Sequence, residues 1–147
     1  MINPKELMIG NYVYYPNFVW EYPNLDYEFQ NAFQITGIHN DNVDLMTPFF
    51  ETGESYVDVE EIKPIKITPE WLERLGFKFQ SKRYFVRIFG DFEVVLEVCQ
   101  NRWCLTIFTI KRLDIQKELT LDVSCIHQLQ NAIALMTDAE LTLGGAK

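Results

Sequence analysis

No stretch of the 147-residue sequence approaches the roughly 20 consecutive apolar residues that a membrane-spanning helix requires, so no spanning segment is expected. Met1 to Gly10 lacks the apolar core of a secretory signal. Cysteine is sparse and odd in number, at three. Without an export signal, three cysteines read as reduced thiols and imply a cytoplasmic protein. A phosphate-cradling glycine loop is also missing, because the seven glycines are dispersed and the Gly144-Gly145 pair lies in the tail. There is no internal repeat and no low-complexity segment.

What the chain does have is an ordinary globular composition. Apolar residues make up 48% and charged residues 23%, enough to bury a core without a metal or disulfide staple. The net charge of −8 is unevenly placed. Residues 1–66 carry three lysines against eleven acids, 3 − 11 = −8, whereas residues 67–147 balance at 10 − 10 = 0. An acidic field repels phosphate backbones and attracts cationic surfaces, so nucleic acid is not expected on the N-terminal part and a partner with a basic surface is.

The pattern predicts an α+β protein in two parts that pack as one compact unit. Over residues 1–67, short alternating segments at Asn11–Tyr15, Phe33–His39, Val43–Met46, Tyr56–Val57 and Lys63–Ile67 predict five strands. His39-Asn40-Asp41-Asn42 reads as a tight hairpin turn. The order, with a long first loop and a short turn at Val59–Ile62, resembles a small barrel of the Src-homology-3 type. Over residues 68–147, Thr68-Pro69-Glu70 caps and starts a short helix that Gly76 stops. A four-stranded antiparallel meander is expected next, at Phe77–Gln80, Arg83–Phe89, Phe92–Cys99 and Trp103–Ile110, with a less distinct strand in Gln116–Asp122. Ile126, Leu129, Ile133 and Met136 then fall on one face of a C-terminal helix.

Few residues suggest chemistry. Cys99, Cys104, Cys125 and His127 are the only candidates for a soft-metal site. Pairing Val98 with Trp103 or with Leu105 keeps the same apolar face, and only the second places Cys99 opposite Cys104. Nothing in the spacing brings a nucleophile to His127 and Asp122, so neither metal, cofactor nor catalytic residue is expected. The most unusual feature is the aromatic, acidic segment Pro16–Gln30, a long loop in which Phe18, Trp20, Glu21, Tyr22 and Tyr27 form a candidate partner-binding surface. The alternative is that this loop folds down over the open end of the barrel. Lys78, Lys82, Arg83 and Arg87, with Lys111-Arg112, are a basic set that reads first as a solvated sheet face and second as a nucleic-acid contact.

The run Ile126-His127-Gln128-Leu129-Gln130-Asn131, followed by Thr137 and Glu140-Leu141, resembles the C-terminal signature of a group of small uncharacterised proteins of gut bacteria and their phages or mobile elements. Glu6-Leu7-Met8-Ile9-Gly10-Asn11-Tyr12-Val13 and Pro64-Ile65-Lys66-Ile67-Thr68-Pro69-Glu70-Trp71-Leu72 resemble the same group. The chain departs from it at Ala132-Ile133-Ala134 and at Thr137-Asp138-Ala139. The resemblance implies the architecture and no activity. His127, Gln128, Gln130 and Asn131 form a polar helix face that either reads a ligand or satisfies buried backbone groups. The expected role is that of a non-enzymatic accessory protein that binds another protein through Pro16–Gln30. A nucleic-acid module using the basic face and a small enzyme using His127 are the alternatives.

Overall fold

The computed structural model describes residues 2–18, 31–47, 52–81, 83–109 and 118–143. The protein is α+β, with two antiparallel sheets and two α-helices among the described residues. It divides into two compact units, one up to Ile65 and one from Lys66.

In the N-terminal unit, strands β1 (Tyr12–Tyr14), β2 (Ala32–Ile38), β3 (Asn42–Met46) and β4 (Gly53–Asp58) form one sheet in chain order. Alternation decides which side chains turn inward: Val13, Phe33, Ile35, Val43, Leu45 and Val57 are buried together with Ile2, Leu7 and Ile62. Burial of each large aliphatic side chain contributes about 1.5–3 kcal/mol. His39 and Asn42 close the expected hairpin through a 2.8 Å backbone bond. After β4, a 3-10 turn spans Val59–Glu61, and the Asp58 carboxylate caps it by accepting from the Glu60 amide at 2.9 Å.

The fifth strand expected at Lys63–Ile67 does not form. Lys63 makes one isolated bridge to Tyr14, with 2.8 Å bonds in both directions, and Lys66 makes another to Cys125. Pro64 between them has no N–H to extend a ladder, which stops the strand after one pair. Among the described residues this sheet is therefore four-stranded and is not a closed barrel.

In the C-terminal unit, helix α1 (Pro69–Arg74) begins as the sequence predicts. Thr68 Oγ1 accepts from the Trp71 amide at 3.2 Å, Pro69 takes the first position, and Gly76 follows the helix at φ +85°. Trp71, Leu72 and Leu75 are buried. The sheet that follows has five strands rather than four: β5 (Lys78–Ser81), β6 (Tyr84–Phe89), β7 (Phe92–Cys99), β8 (Arg102–Thr109) and β9 (Glu118–Val123), in chain order. The segment before Ser124 alternates strictly between polar and apolar residues from Glu118 to Val123 and completes the sheet by pairing with β8.

Gln100 and Asn101 both take positive φ, +49° and +65°, as a two-residue hairpin with left-handed central positions demands. That turn sets Cys99 opposite Arg102 and Val98 opposite Trp103. Val94, Leu96, Leu105 and Ile107 are buried side chains of this sheet. Helix α2 (Ile126–Thr137) buries Ile126, Leu129 and Ile133 completely, contacts β8, and ends at Asp138 in left-handed conformation at φ +59°.

Candidate functional site

Of the expected loop surface, Phe18 is described, and Trp20, Glu21, Tyr22 and Tyr27 lie outside the described residues. Phe18 is half-buried. Its ring lies 5.0 Å from that of Phe33 in a T-shaped contact and 6.2 Å from that of Tyr15, so it anchors to the N-terminal core.

The polar residues of α2 are mostly engaged within the C-terminal unit. His127 is 2% exposed, and its Nδ1 lies 3.4 Å from Cys125 Sγ. Cys125 holds the N-cap position without a capping bond of its own. Gln128 Oε1 accepts from the amide and hydroxyl of Ser124 at 3.0 and 3.1 Å, tying the residue before the cap to the first turn. Gln130 is buried and donates to the Leu141 carbonyl at 3.0 Å, tying the C-terminal segment to the helix. Asn131 is half-buried.

The register places Cys104 opposite Glu97 on one side and Asp122 on the other, so Cys99 and Cys104 are not directly paired. The Cys104 thiol lies 3.5 Å from Asp122, and burial, followed by the neighbouring carboxylate and Cys99, raises its pKa. A thiol held protonated is a poor nucleophile and a poor metal ligand. Among the described residues no group of three or more metal-ligating side chains converges.

Of the basic set, Lys78, Arg83 and Arg87 are among the described residues. Arg87 is half-buried: its guanidinium donates to the Leu75 carbonyl and sits 4.5 Å from the centroid of the Phe89 ring. Lys82, Lys111 and Arg112 fall outside the described residues. Lys78 and Arg83 line an open groove of about 660 Å³ whose apolar wall comes from Phe77, Phe79, Phe85, Val98 and Trp103, with Glu73 as a third charged lining residue. Phe79, on edge strand β5, is 63% exposed beside it.

A site that strand alternation does not announce lies on the N-terminal sheet, around Asp44. The pairing of β2 with β3 shifts register between Ile35 and Gly37, opposite Asp44, and the pairing of β3 with β4 shifts between Val43 and Leu45, again at Asp44. Irregularities of this kind re-aim side chains. Here they turn Tyr56 into left-handed backbone, at φ +56°, a conformation that L-residues other than Asn and Asp rarely adopt.

Asp44 holds that conformation in place. Its Oδ1 accepts from the Tyr56 amide at 3.0 Å and its Oδ2 from His39 Nε2 at 3.1 Å. The His39 and Tyr56 rings stack, 4.5 Å apart and 21° from parallel. Glycine at 37 makes room for the carboxylate, since a Cβ there would stand 2.5 Å from Asp44 Oδ2. The Tyr56 amide bond, and secondarily the His39 contact, hold the Asp44 carboxyl below its ordinary value of 3.8. Tyr56 is nevertheless 67% exposed, so the outcome is an aromatic ring and a carboxylate fixed at the surface. The turn residues at His39–Asn42 are legible in the sequence, but a left-handed tyrosine has no sequence signature.

No protein-family model, no curated protein and no solved structure matches the chain.

Proposed function

We propose that this chain is a non-enzymatic accessory protein of a phage or other mobile element, and that its acidic N-terminal unit binds another protein with a basic surface. The observation that carries this reading is the coincidence of charge and fold. The chain divides at Ile65, and the residues up to that point hold eleven acids against Lys5 and Lys63, 2 − 11 = −9, while the remainder holds 11 − 10 = +1. Asp41, Glu54, Asp58, Glu60 and Glu61 are all exposed there, next to the exposed ring of Tyr56. Exposed tyrosine amid carboxylates suits recognition of cations on a protein and opposes a phosphate backbone. The Pro16–Gln30 segment adds aromatic and acidic residues to the same unit, with Phe18 as its anchored end. The mobile-element setting rests on the sequence resemblance at the two ends and the middle of the chain.

The same reading takes the N-terminal unit as a barrel of the Src-homology-3 type. Four consecutive strands, the 3-10 turn at Val59–Glu61 and the Tyr14–Lys63 bridge support it. Continued in register, that bridge would set Ile65 opposite Tyr12, and nuclear Overhauser contacts between those two backbones test the closure; their absence rejects it.

Affinity capture from host lysate with nuclease treatment, comparing the wild-type chain with Glu54→Gln/Asp58→Asn/Glu60→Gln/Glu61→Gln, tests the binding role. The expected result is a protein partner that survives nuclease and is lost on raising salt and in the neutralised variant. A partner retained undiminished by that variant, or nucleic acid as the sole captured species, contradicts it.

A further inference from the structure

The Asp44 site is more elaborate than a solvated sheet face requires. Two register shifts converge on one residue, a tyrosine stays in left-handed backbone, and a Cβ at the position opposite would displace the carboxylate. Backbone strain of this kind costs free energy and persists where the surrounding structure over-determines it, which is characteristic of ligand-binding positions. What the strain fixes in place is a short constellation: the Tyr56 ring, backed on one side by the His39 ring, and the Asp44 carboxylate, oriented by two hydrogen bonds.

We infer that this constellation is a receptor for an arginine side chain of the partner protein, the guanidinium lying over the open side of the Tyr56 ring and pairing with Asp44. The inference rests on the proposed protein-binding role and names the chemistry of its contact. A planar, weakly hydrated guanidinium stacks on an aromatic ring and forks onto a carboxylate, whereas an ammonium does neither as well. Asp44 has capacity left, since each of its oxygens has two acceptor sites and the hydrogen bonds to Tyr56 and His39 take one apiece. Because both its bonds come from fixed donors, the carboxylate stays ionised in place and need not reorganise to meet a cation. Asp41, Glu54 and Asp58, all exposed, lie at the ends of β3 and β4 and add charge of the complementary sign. His39 contributes as the second layer of the stack and as the donor that orients Asp44. It is a positioning residue.

Titration of the full-length protein with two unstructured peptides of equal length and charge, one whose cations are all arginine and one all lysine, tests the inference. Tyr56→Phe, Tyr56→Gly and Asp44→Asn are carried through the same titration, with amide spectra confirming the fold. Glycine suits the left-handed backbone at 56, so Tyr56→Gly removes the ring without adding strain. The arginine peptide should bind about tenfold more tightly than the lysine peptide, shift the Tyr56 amide, keep its affinity with Tyr56→Phe, and lose the arginine preference with Tyr56→Gly and Asp44→Asn. Equal binding of both peptides, or an arginine preference that survives Tyr56→Gly, overturns the arginine site while leaving the charge-based reading intact. Failure of the wild-type chain to bind either peptide at low salt overturns both.

Discussion

Arg87 on β6 donates a hydrogen bond from its guanidinium to the carbonyl of Leu75, the residue that caps helix α1. The same guanidinium lies against the Phe89 ring, and Gly76, in left-handed conformation, passes so close that an added Cβ would sit 2.9 Å from Arg87 Nη1. A cation from the sheet thus closes the negative end of a short helix. Arg87→Leu leaves the Leu75 carbonyl without this donor and should destabilise the protein by about 1–3 kcal/mol in chemical denaturation. An unchanged midpoint would mean that the bond is not formed in solution.

Tyr56 predicts an unusual ordering of substitutions. Glycine relieves a left-handed penalty of roughly 1–2 kcal/mol but forfeits a ring stack of about 0.5–1.5 kcal/mol, so Tyr56→Gly should be neutral to within about 1 kcal/mol. Valine is β-branched and cannot stack, and Tyr56→Val should lose about 1–3 kcal/mol. Thermal denaturation of the pair checks this, and equal losses would place Tyr56 in ordinary extended backbone.

Gly37→Ala intrudes on the Asp44 carboxylate rather than on backbone. The carboxylate must move, so the expected signature is a displaced Tyr56 amide resonance with a loss of stability of about 1–3 kcal/mol. At Gly53 the obstacle is the Leu45 carbonyl, 2.0 Å from an added Cβ, so Gly53→Ala should cost more than Gly37→Ala.

Asp44 and Tyr15 contribute to the acid and alkaline limbs of stability. Asp44 has a folded pKa below its ordinary 3.8, so its contribution is complete above that value and is lost as pH falls through the lower folded value. Asp44→Asn should flatten this acid limb. Tyr15 is the opposite case: its hydrogen bond to Glu54, then burial and the charges of Glu54 and Glu61, push it up to about 12 from 10.0. Its contribution is complete below 10 and is lost as pH rises through about 12. Tyrosinate absorbance should show a late-titrating component that moves down in Glu54→Gln, while the rise of Tyr84, caused by Glu97, is untouched by that variant.

The elements with strong local signals are those the sequence makes legible. Thr68-Pro69 starts α1, the apolar face of Ile126, Leu129 and Ile133 defines α2, and Gly90-Asp91 and Gln100-Asn101 mark the hairpins. Strand β9 alternates strictly from Glu118 to Val123 and pairs with β8, so the less distinct strand expected at Gln116–Asp122 is legible from its own period. Lys63–Ile67 alternates well yet pairs at two isolated points, because Pro64 removes a donor. Cys99 and Cys104 depended on a hairpin register that the Gln100-Asn101 turn decides. The Asp44 site was illegible, since it arises from two register shifts, and register is a property of strand pairs.

Binding of a protein partner by the acidic N-terminal unit can be read from amide shifts across the isotopically labelled full chain as the captured partner is added. Shifts should concentrate in residues 2–65, centred on His39, Asp44 and Tyr56, and diminish as salt is raised. Shifts confined to residues beyond 66, for instance along Phe79, Arg83 and Trp103 of the aromatic groove, would contradict it.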